Sequence, residues 1–371
     1  MRGLTKGEES TSTNPALQLF IRLGEFLADP ISATYRIEDI HNPDVAPVVK
    51  VANTSFNLDD IGLGGNRLGV GRYYIPVGLS TSTDFSYGTH RVVCNYVMVT
   101  GGRSYSQVID FEVLDAAYFP TGDSYIGYAT TRSLVDNGFL PFSYAPEKVH
   151  RHIRRASIEL ENITSRFFEP RYFQMDLDGM VSTALFVDEA IIAVEKVEVV
   201  ATDGSGVETL EAFDSSLYRV YNRHLDGLLN PDDRDNPLLS MGRTRYVPGV
   251  TSSHGESHWP SGKQNIRITG VFGFTDPDPR SDKILIGHTP DDFQQILGVM
   301  IDRFLTDPTL SSMATQQPGL VKSYKTRDQA IHFYGASGNV SYTGGWTGDT
   351  LLDQKLQRFV KPARVRYTER D

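Results

Sequence analysis

The chain has 371 residues, a formal net charge of −10, 39% hydrophobic and 22% charged residues, and a single cysteine. One cysteine excludes a disulfide framework and a cysteine-built zinc cage, and no apolar run approaches the roughly 18 residues of a membrane span. The acidic balance argues against general coating of nucleic acid, which needs a dominant basic field.

Area scaling leaves roughly 15,000 Å² exposed out of about 60,000 Å² in the unfolded chain, so a large core forms without covalent staples. Met1 and Arg2 are followed by small and polar residues with no apolar stretch of the kind that signals secretion. Synthesis in a reducing cytoplasm is the expectation.

Residues 1–16 are polar, with Ser, Thr and Asn crowded between Glu8 and Asn14, and predict a flexible arm. From Leu17 to Leu114 short apolar runs alternate with turn clusters: Ile31–Ile37, Val48–Val51, Tyr73–Val77, His90–Val99 and Gln107–Leu114. Strand formers from Arg91 to Val99 lead into a Thr100–Gly101–Gly102 turn, after which Val108, Asp110, Glu112 and Leu114 alternate with Ile109, Phe111 and Val113. Short strands without a helix predict an immunoglobulin-like β-sandwich over 17–117, on pattern alone, since the Cys and Trp landmarks of that fold are absent. Cys94, mid-strand among apolar neighbours, reads as a small core residue.

A linker with a short helix, 118–144, follows; Thr131–Asn137 reads as helical, stopped by Gly138. Pro146 opens a longer helix with Val149, Ile153, Ala156, Leu160, Ile163 and Phe167 on one face, ended at Pro170. Burying such a stripe contributes on the order of 9–18 kcal/mol before entropy is charged. Strands are predicted at Val181–Val187, Ile191–Val200, Leu217–Tyr221 and Asn265–Phe274. Between them 222–261 reads as a long loop, functional or a mobile arm. Thr289, Pro290, Asp291 and Asp292 form a helix start, followed by the stripe Phe293, Ile296, Leu297, Met300, Ile301, Phe304 and Leu305. Residues 311–371 read as a polar C-terminal arm in which Leu351–Val360 forms a short helix. The fold class is therefore α+β and multi-domain, an N-terminal sandwich followed by a helical core over 145–310 with inserted strands and extended arms.

Catalytic signals are weak. The string Gly62–Gly71 offers bare backbone to an anion but lacks the Lys-Ser/Thr of a phosphate-binding loop and precedes a strand, so a strand-connecting turn accounts for it. His254 and His258 are four apart, yet Gly255 and Pro260 oppose the helix that would align them on a metal. Asn230, Asp232, Asp233 and Asp235 are rich in oxygen, without the glycine and glutamate of an EF-hand, and read as a solvated turn. No serine nucleophile pattern is present, and a carboxylate pair for glycan hydrolysis cannot be read from spacing. No catalytic, cofactor-binding or metal residue is assigned, and enzymatic activity is not expected.

Two basic sets stand out against the acidic whole. One surrounds the helix stripe: Lys148, His150, Arg151, His152, Arg154 and Arg155. The other is C-terminal: Lys355, Arg358, Lys361, Arg364, Arg366 and Arg370. Each is a solvated face, a surface for an acidic protein or passing DNA phosphates, or a counter-charge to an adjacent subunit.

From Tyr125 onward the order of elements resembles the head-to-tail connector (adaptor) proteins of tailed bacteriophages. The resemblance is carried by 130–139 (TTRSLVDNGF), 149–171 (VHRHIRRASIELENITSRFFEPR), 187–200 (VDEAIIAVEKVEVV), 259–274 (WPSGKQNIRITGVFGF) and 289–305 (TPDDFQQILGVMIDRFL). It covers roughly half the chain. It implies a structural virion protein in the neck, made in the host cytoplasm and arranged as a ring, commonly of twelve copies, that joins the portal to the tail and extends the DNA channel. The implied partners are the portal protein, tail or tail-terminator and stopper proteins, further copies of the chain, and double-stranded DNA passing without sequence specificity, with no membrane and no cofactor. Arg151, Arg154, Arg155, Lys355, Arg358, Lys361 and Arg364 are the residues expected at partner or channel contacts, with 351–360 and the basic residues after it docking on portal or neighbour. The N-terminal sandwich lies outside the family pattern. The alternative is a host-surface or carbohydrate-binding tail accessory protein, which calls for exposed aromatic side chains near Tyr87 or Tyr105.

Overall fold

The computed structural model describes residues 2–5, 9–11, 13, 15–79, 85–115, 117, 119, 125–141, 146–202, 208–222, 233–241, 258–276, 286–306, 322–325, 330–333, 347 and 350–361. Among them several sheets and four helices, with strand in the majority, give a mixed α/β architecture. The chain divides into two compact units, Met1–Tyr125 with Arg166–Pro290 and Ile126–Ser165 with Asp291–Asp371. The scheme expected from sequence groups residues in chain order, whereas each unit draws on two separated stretches.

The first unit is built from strands. Gly88–Val97 and Ser104–Leu114 pair antiparallel from Gly88 opposite Val113 to Val97 opposite Ser104. Gly101 in their turn sits at φ 70, where a side chain is disfavoured, and the Gly102 N–H donates to the Val99 carbonyl at 2.7 Å. Ser32–Asp39 and then Val48–Ser55 continue the sheet on one side. On the other, Arg2–Thr5 lies parallel to Ser104–Leu114 with Leu4 opposite Val113. The flexible arm expected over 1–16 is thus a buried strand at 2–5: Leu4 and Thr5 are buried, and the ladder satisfies their backbone.

Val92, Cys94 and Tyr96 point inward on alternate positions and share a core with Leu19, Ile21, Tyr73 and Ile75. Leu19 and Tyr73 belong to a smaller sheet of Gln18–Phe20, Arg72–Tyr74 and Arg67–Gly69. Cys94 is fully buried, and burial pushes its thiol up.

A second sheet sets Arg171–Gly179, Gly262–Phe272 and Ile191–Thr202 side by side, antiparallel. Phe26–Leu27 joins Ile191–Thr202 in parallel, and Arg22–Leu23 pairs with Phe26–Leu27. The Val194 N–H donates to the Glu25 carbonyl at 3.0 Å, and Arg22 Nη1 to the Ile192 carbonyl at 3.2 Å. The strands expected as insertions in a helical core are therefore in one sheet with N-terminal residues. Periodicity reads each strand but not its partner, which here lies far along the chain. Gly270 permits the close strand approach, since a Cβ there would lie 2.4 Å from the Ala193 carbonyl oxygen.

Ala184–Phe186, Leu238–Met241 and Tyr218–Tyr221 form a third sheet, beside which Trp259 is buried against Phe213 and Tyr218 at 5.2 and 6.0 Å between ring centroids. The long loop expected over 222–261 is corrected accordingly: Leu238–Met241 is strand, and Leu239 and Trp259 are core. Residues 223–232 and 242–257 of that reading lie outside the described residues.

The second unit is built from helices α1 (Thr131–Asp136), α2 (Pro146–Thr164), α3 (Asp291–Thr306) and α4 (Thr350–Gln357). Thr130 caps α1, accepting from the Ser133 N–H while the Ser133 hydroxyl returns to the cap. In α2 the stripe Val149, Ile153, Ala156 and Leu160 is wholly buried. The helix ends at Thr164, before the stop expected at Pro170, because Ser165 turns to φ 54; Phe167 is therefore not part of the stripe and meets Phe173 edge to face in the first unit, at 5.5 Å between ring centroids. Phe293, Ile296, Leu297, Met300 and Ile301 bury the facing stripe of α3. Gly298 leaves room for the Phe139 ring, which a Cβ would meet at 2.3 Å.

Candidate functional site

Helix α2 runs antiparallel to α3. His152, toward the start of α2, stacks on Phe304 at the end of α3, with ring centroids 5.9 Å apart, and the Arg155 guanidinium lies 4.9 Å from the same ring. At the opposite end the Lys361 N–H donates to the Thr164 carbonyl at 2.9 Å, while Phe359 meets Phe293 at 5.4 Å. The basic run of α2 and Arg303 in the last turn of α3 therefore share one end of this unit.

Within the run, exposure separates two roles. Lys148 and Arg151 are exposed and make no ion pair among the described residues, whereas Arg154 and Arg155 are half-buried. His150 is buried and its Nε2 lies 2.9 Å from the Thr131 hydroxyl, so this member of the run ties α2 to α1. Ile158, one turn beyond Arg154 and Arg155, is 51% exposed. The charge order is unfavourable for an isolated helix. Cations occupy the N-terminal half of α2, Glu159 and Glu161 follow, and no base lies in the last turn. Lys148 near the positive end of the macrodipole costs about 0.3–1 kcal/mol, and Arg151 repels Arg155 at i,i+4 by about 0.2–0.5 kcal/mol.

The C-terminal set behaves differently. Leu352, Leu356 and Phe359 are buried inside the unit, and Asp353 accepts from the Thr347 N–H and hydroxyl at 2.9 and 2.8 Å. Arg358 pairs with Asp292 at 2.7 Å and stacks on Phe359. Of the segment 351–360, expected to dock on portal or neighbour, the face of Leu352, Leu356 and Phe359 closes its own unit, while Leu351 is 71% exposed. Lys355 on the outer face is exposed, Lys361 is half-buried, and Arg364 lies outside the described residues.

The first unit carries an acidic counterpart. Ile191–Thr202 continues past the main sheet and pairs with the edge strand Glu208–Ala212, with Val199 opposite Glu211 and Val200 opposite Leu210. All five residues of that strand are exposed, Leu210 at 47%. Glu208 reaches Arg267 at 3.3 Å, whereas Glu211 has no ion pair among the described residues. Asp214 nearby accepts from the Ser216 N–H, which holds its carboxyl below the usual range.

Two further groups were invisible in sequence. Arg166 and Arg234 lie 4.5 and 4.4 Å from the Phe274 ring centroid, paired to Asp235 and Asp276 at 3.0 and 2.7 Å. Asp235, part of the oxygen-rich turn, is thus a partner for a buried arginine. In the other group Asp39 accepts from the Ser86 hydroxyl and lies 3.9 Å from Nε2 of the buried His90. Burial lowers the His90 pKa against the opposing pull of the Gly88 carbonyl and Asp39. Residues this far apart in the chain leave no spacing signal; only the alternation that buries His90 was readable.

The remaining sequence candidates resolve as architecture. In the glycine string Arg67 is taken up by Asp29 and Asp60 at 2.7 and 2.6 Å, and Gly71, at φ 63, donates its N–H to Asp29. His258 is exposed, and His254 lies outside the described residues. Among the described residues no group of three or more His, Cys, Asp and Glu is placed to hold a metal ion. Tyr87 is 42% exposed, but Tyr105 is half-buried and stacked on Tyr96 at 6.0 Å, so the two do not make an exposed aromatic cluster.

No family model matches the chain, and no curated protein matches it. Among solved structures, a chain described as "Neck of empty GTA particle computed with C6 symmetry" is similar at 12% identity and a TM-score of 0.34, over 64% of this chain and 92% of that one. A chain from "Virion of native gene transfer agent (GTA) particle" is similar at 13% identity and a TM-score of 0.31, over 61% and 84%. Likeness of this degree carries no argument about fold or function.

Proposed function

We propose that this chain is a structural virion protein of a tailed phage, a subunit of the neck ring that joins portal to tail and continues the DNA channel. The observation that carries the reading is the antiparallel packing of α2 on α3, closed by α4. Two of the motifs that carry the connector resemblance, 149–171 and 289–305, thus contribute helices to one core. That core leaves Lys148 and Arg151 outward for a partner. Portal, tail stopper and passing DNA are the partners this reading names, with Arg151, Arg154, Arg155, Lys355, Lys361 and Arg364 as contact residues; Arg358 serves mainly to hold α4. The strands within 17–117 are read as the immunoglobulin-like part, facing outward as decoration or collar contact.

The test is position and copy number in the assembled particle. Labelled protein found at the neck, in a copy number that closes a ring, supports the reading; protein at fibre tips, or in a copy number no neck ring accommodates, overturns it.

A further inference from the structure

The ring of His90 is held between two oxygens. Its Nδ1 lies 3.1 Å from the Gly88 carbonyl, and its Nε2 lies 3.9 Å from Oδ2 of Asp39 and makes no hydrogen bond. With the neutral ring's proton on Nδ1, the Nε2 lone pair faces the carboxylate; with the proton on Nε2, the Nδ1 lone pair faces the carbonyl. Only the doubly protonated ring suits both oxygens, yet the ring is fully buried between Phe85 and Phe111, at 5.3 and 5.5 Å between centroids. The charged form therefore has acceptors within reach but no water. Asp39 is also engaged elsewhere: it accepts from the Ser86 hydroxyl and the His41 N–H, with Lys50 Nζ at 3.7 Å. We propose that His90 works a pH-sensitive latch: its protonation frees the Ser86–Thr89 segment from Asp39 and Ile40, while the rest of the sheet stays paired.

The release is local because His90 sits two residues from the start of its strand at Gly88. Ser86 and Tyr87, just before, are exposed, whereas Val92, Cys94 and Tyr96, further in, are core. Few bonds must part for the ring to reach water. The Ile40 N–H donates to the Thr89 carbonyl at 3.1 Å, and Gly88, at φ 116, packs so close to His41 that a Cβ would lie 2.3 Å from its Nδ1. The charged or titratable groups facing the ring are Asp39, His41 and Lys50. By alternation Arg91 and Glu112 lie on the opposite face, engaged with Asp110 and Thr89. Asp39 favours the charged ring, Lys50 and His41 oppose it, and burial outweighs the attraction. Both routes to a charged ring undo the closed form: drawing Oδ2 of Asp39 toward Nε2 loosens Ser86, and hydrating the ring parts Thr89 from Ile40. The closed form binds the proton less readily than the open one, so the open form gains as pH falls below about 6.5. No partner is invoked, and the latch is independent of the neck reading.

The experiment is hydrogen exchange of the full chain, read as protection factors at pH 7.5 and 5.5 for the Ile40 and His41 amides and for the inner ladder Val92–Tyr96. Protection at Ile40 and His41 falls by up to about tenfold between the two pH values, while that of Val92–Tyr96 holds. His90→Phe keeps an aromatic ring between Phe85 and Phe111 and removes the fall. Should that variant fold poorly, Ser86→Ala probes the same latch from its exposed side, and Ile40 and His41 then lose about fivefold or more of their protection already at pH 7.5. Unchanged protection at the two pH values overturns the latch, as does an equal loss along Val92–Tyr96, which would make the event global. A fall that persists in His90→Phe, or full protection at pH 7.5 in Ser86→Ala, overturns it as well.

Discussion

The two units solve the problem of a core in opposite ways. In the helical unit each buried face is written locally: Val149, Ile153, Ala156 and Leu160 recur at helical spacing and are all buried. In the strand-built unit the decisive pairings are distant. Val194 sits beside Phe26, and the Arg22 side chain reaches the Ile192 carbonyl. A stripe tells which residues a helix hides; a strand tells which face it hides but not which neighbour it takes. The helical unit is thus fragile at a few seam positions, and the strand unit at the places where remote strands come closest.

The largest expected effect is Ile153→Asp, which puts a charge on a fully buried seam position. It should cost more than about 4 kcal/mol and unfold the helical unit. An unchanged urea transition would mean the seam is misassigned. Next comes Leu356→Ala on α4, also fully buried, at about 2–5 kcal/mol. Removal of 350–371 should likewise destabilise the helical unit; a truncated chain with the melting temperature of the full one would place 351–360 back among docking segments. Gly270→Val tests the strand unit, since its Cβ would meet main-chain atoms of Ala193 and Val194. A loss of about 1–3 kcal/mol is expected by denaturant titration.

The smallest effect is a pH slope. Burial lowers the pKa of His90 in the folded chain and so disfavours its charged form. Its contribution is complete above the unfolded histidine value of about 6.5 and is lost as pH falls toward the lower folded value. Of the groups facing it, Asp39 opposes that lowering, while Lys50 and His41 add to it. Asp39, whose own pKa the Ser86 and His41 hydrogen bonds lower against the effect of burial, adds a separate loss at more acid pH. Melting temperature should therefore fall as pH drops below about 6.5, and His90→Phe should flatten that fall.

Helix α3, with Phe293, Ile296, Leu297, Met300 and Ile301 of its expected stripe buried, the glycine turn at Gly101 and the burial of Cys94 were all legible in the sequence. Each rests on the nature of residues a few positions apart. Arg2–Thr5 escaped because one leucine among polar neighbours gives no period, and only the ladder from Ser104–Leu114 makes those residues a strand. The role of α4 escaped for a related reason. A short amphipathic segment states that it has an apolar face, and nothing local states whether that face is covered by its own chain. The cations of α2 were visible as a run, but sequence could not separate buried His150 from exposed Arg151. The acidic edge strand was not singled out, since two glutamates around a leucine are unremarkable until all five residues prove exposed.

The interleaving of the two units also sets a timetable for biosynthesis. The greasy side of α2 leaves the ribosome well before Asp291–Thr306, its cover, has been made; at about 5–20 residues per second that wait is on the order of ten seconds. A chain that ends before α3 leaves that side uncovered, and one that ends before α4 lacks the buried Leu356 and the Phe359 ring that close the unit. That side therefore stays open to aggregation until the later helices have emerged and packed.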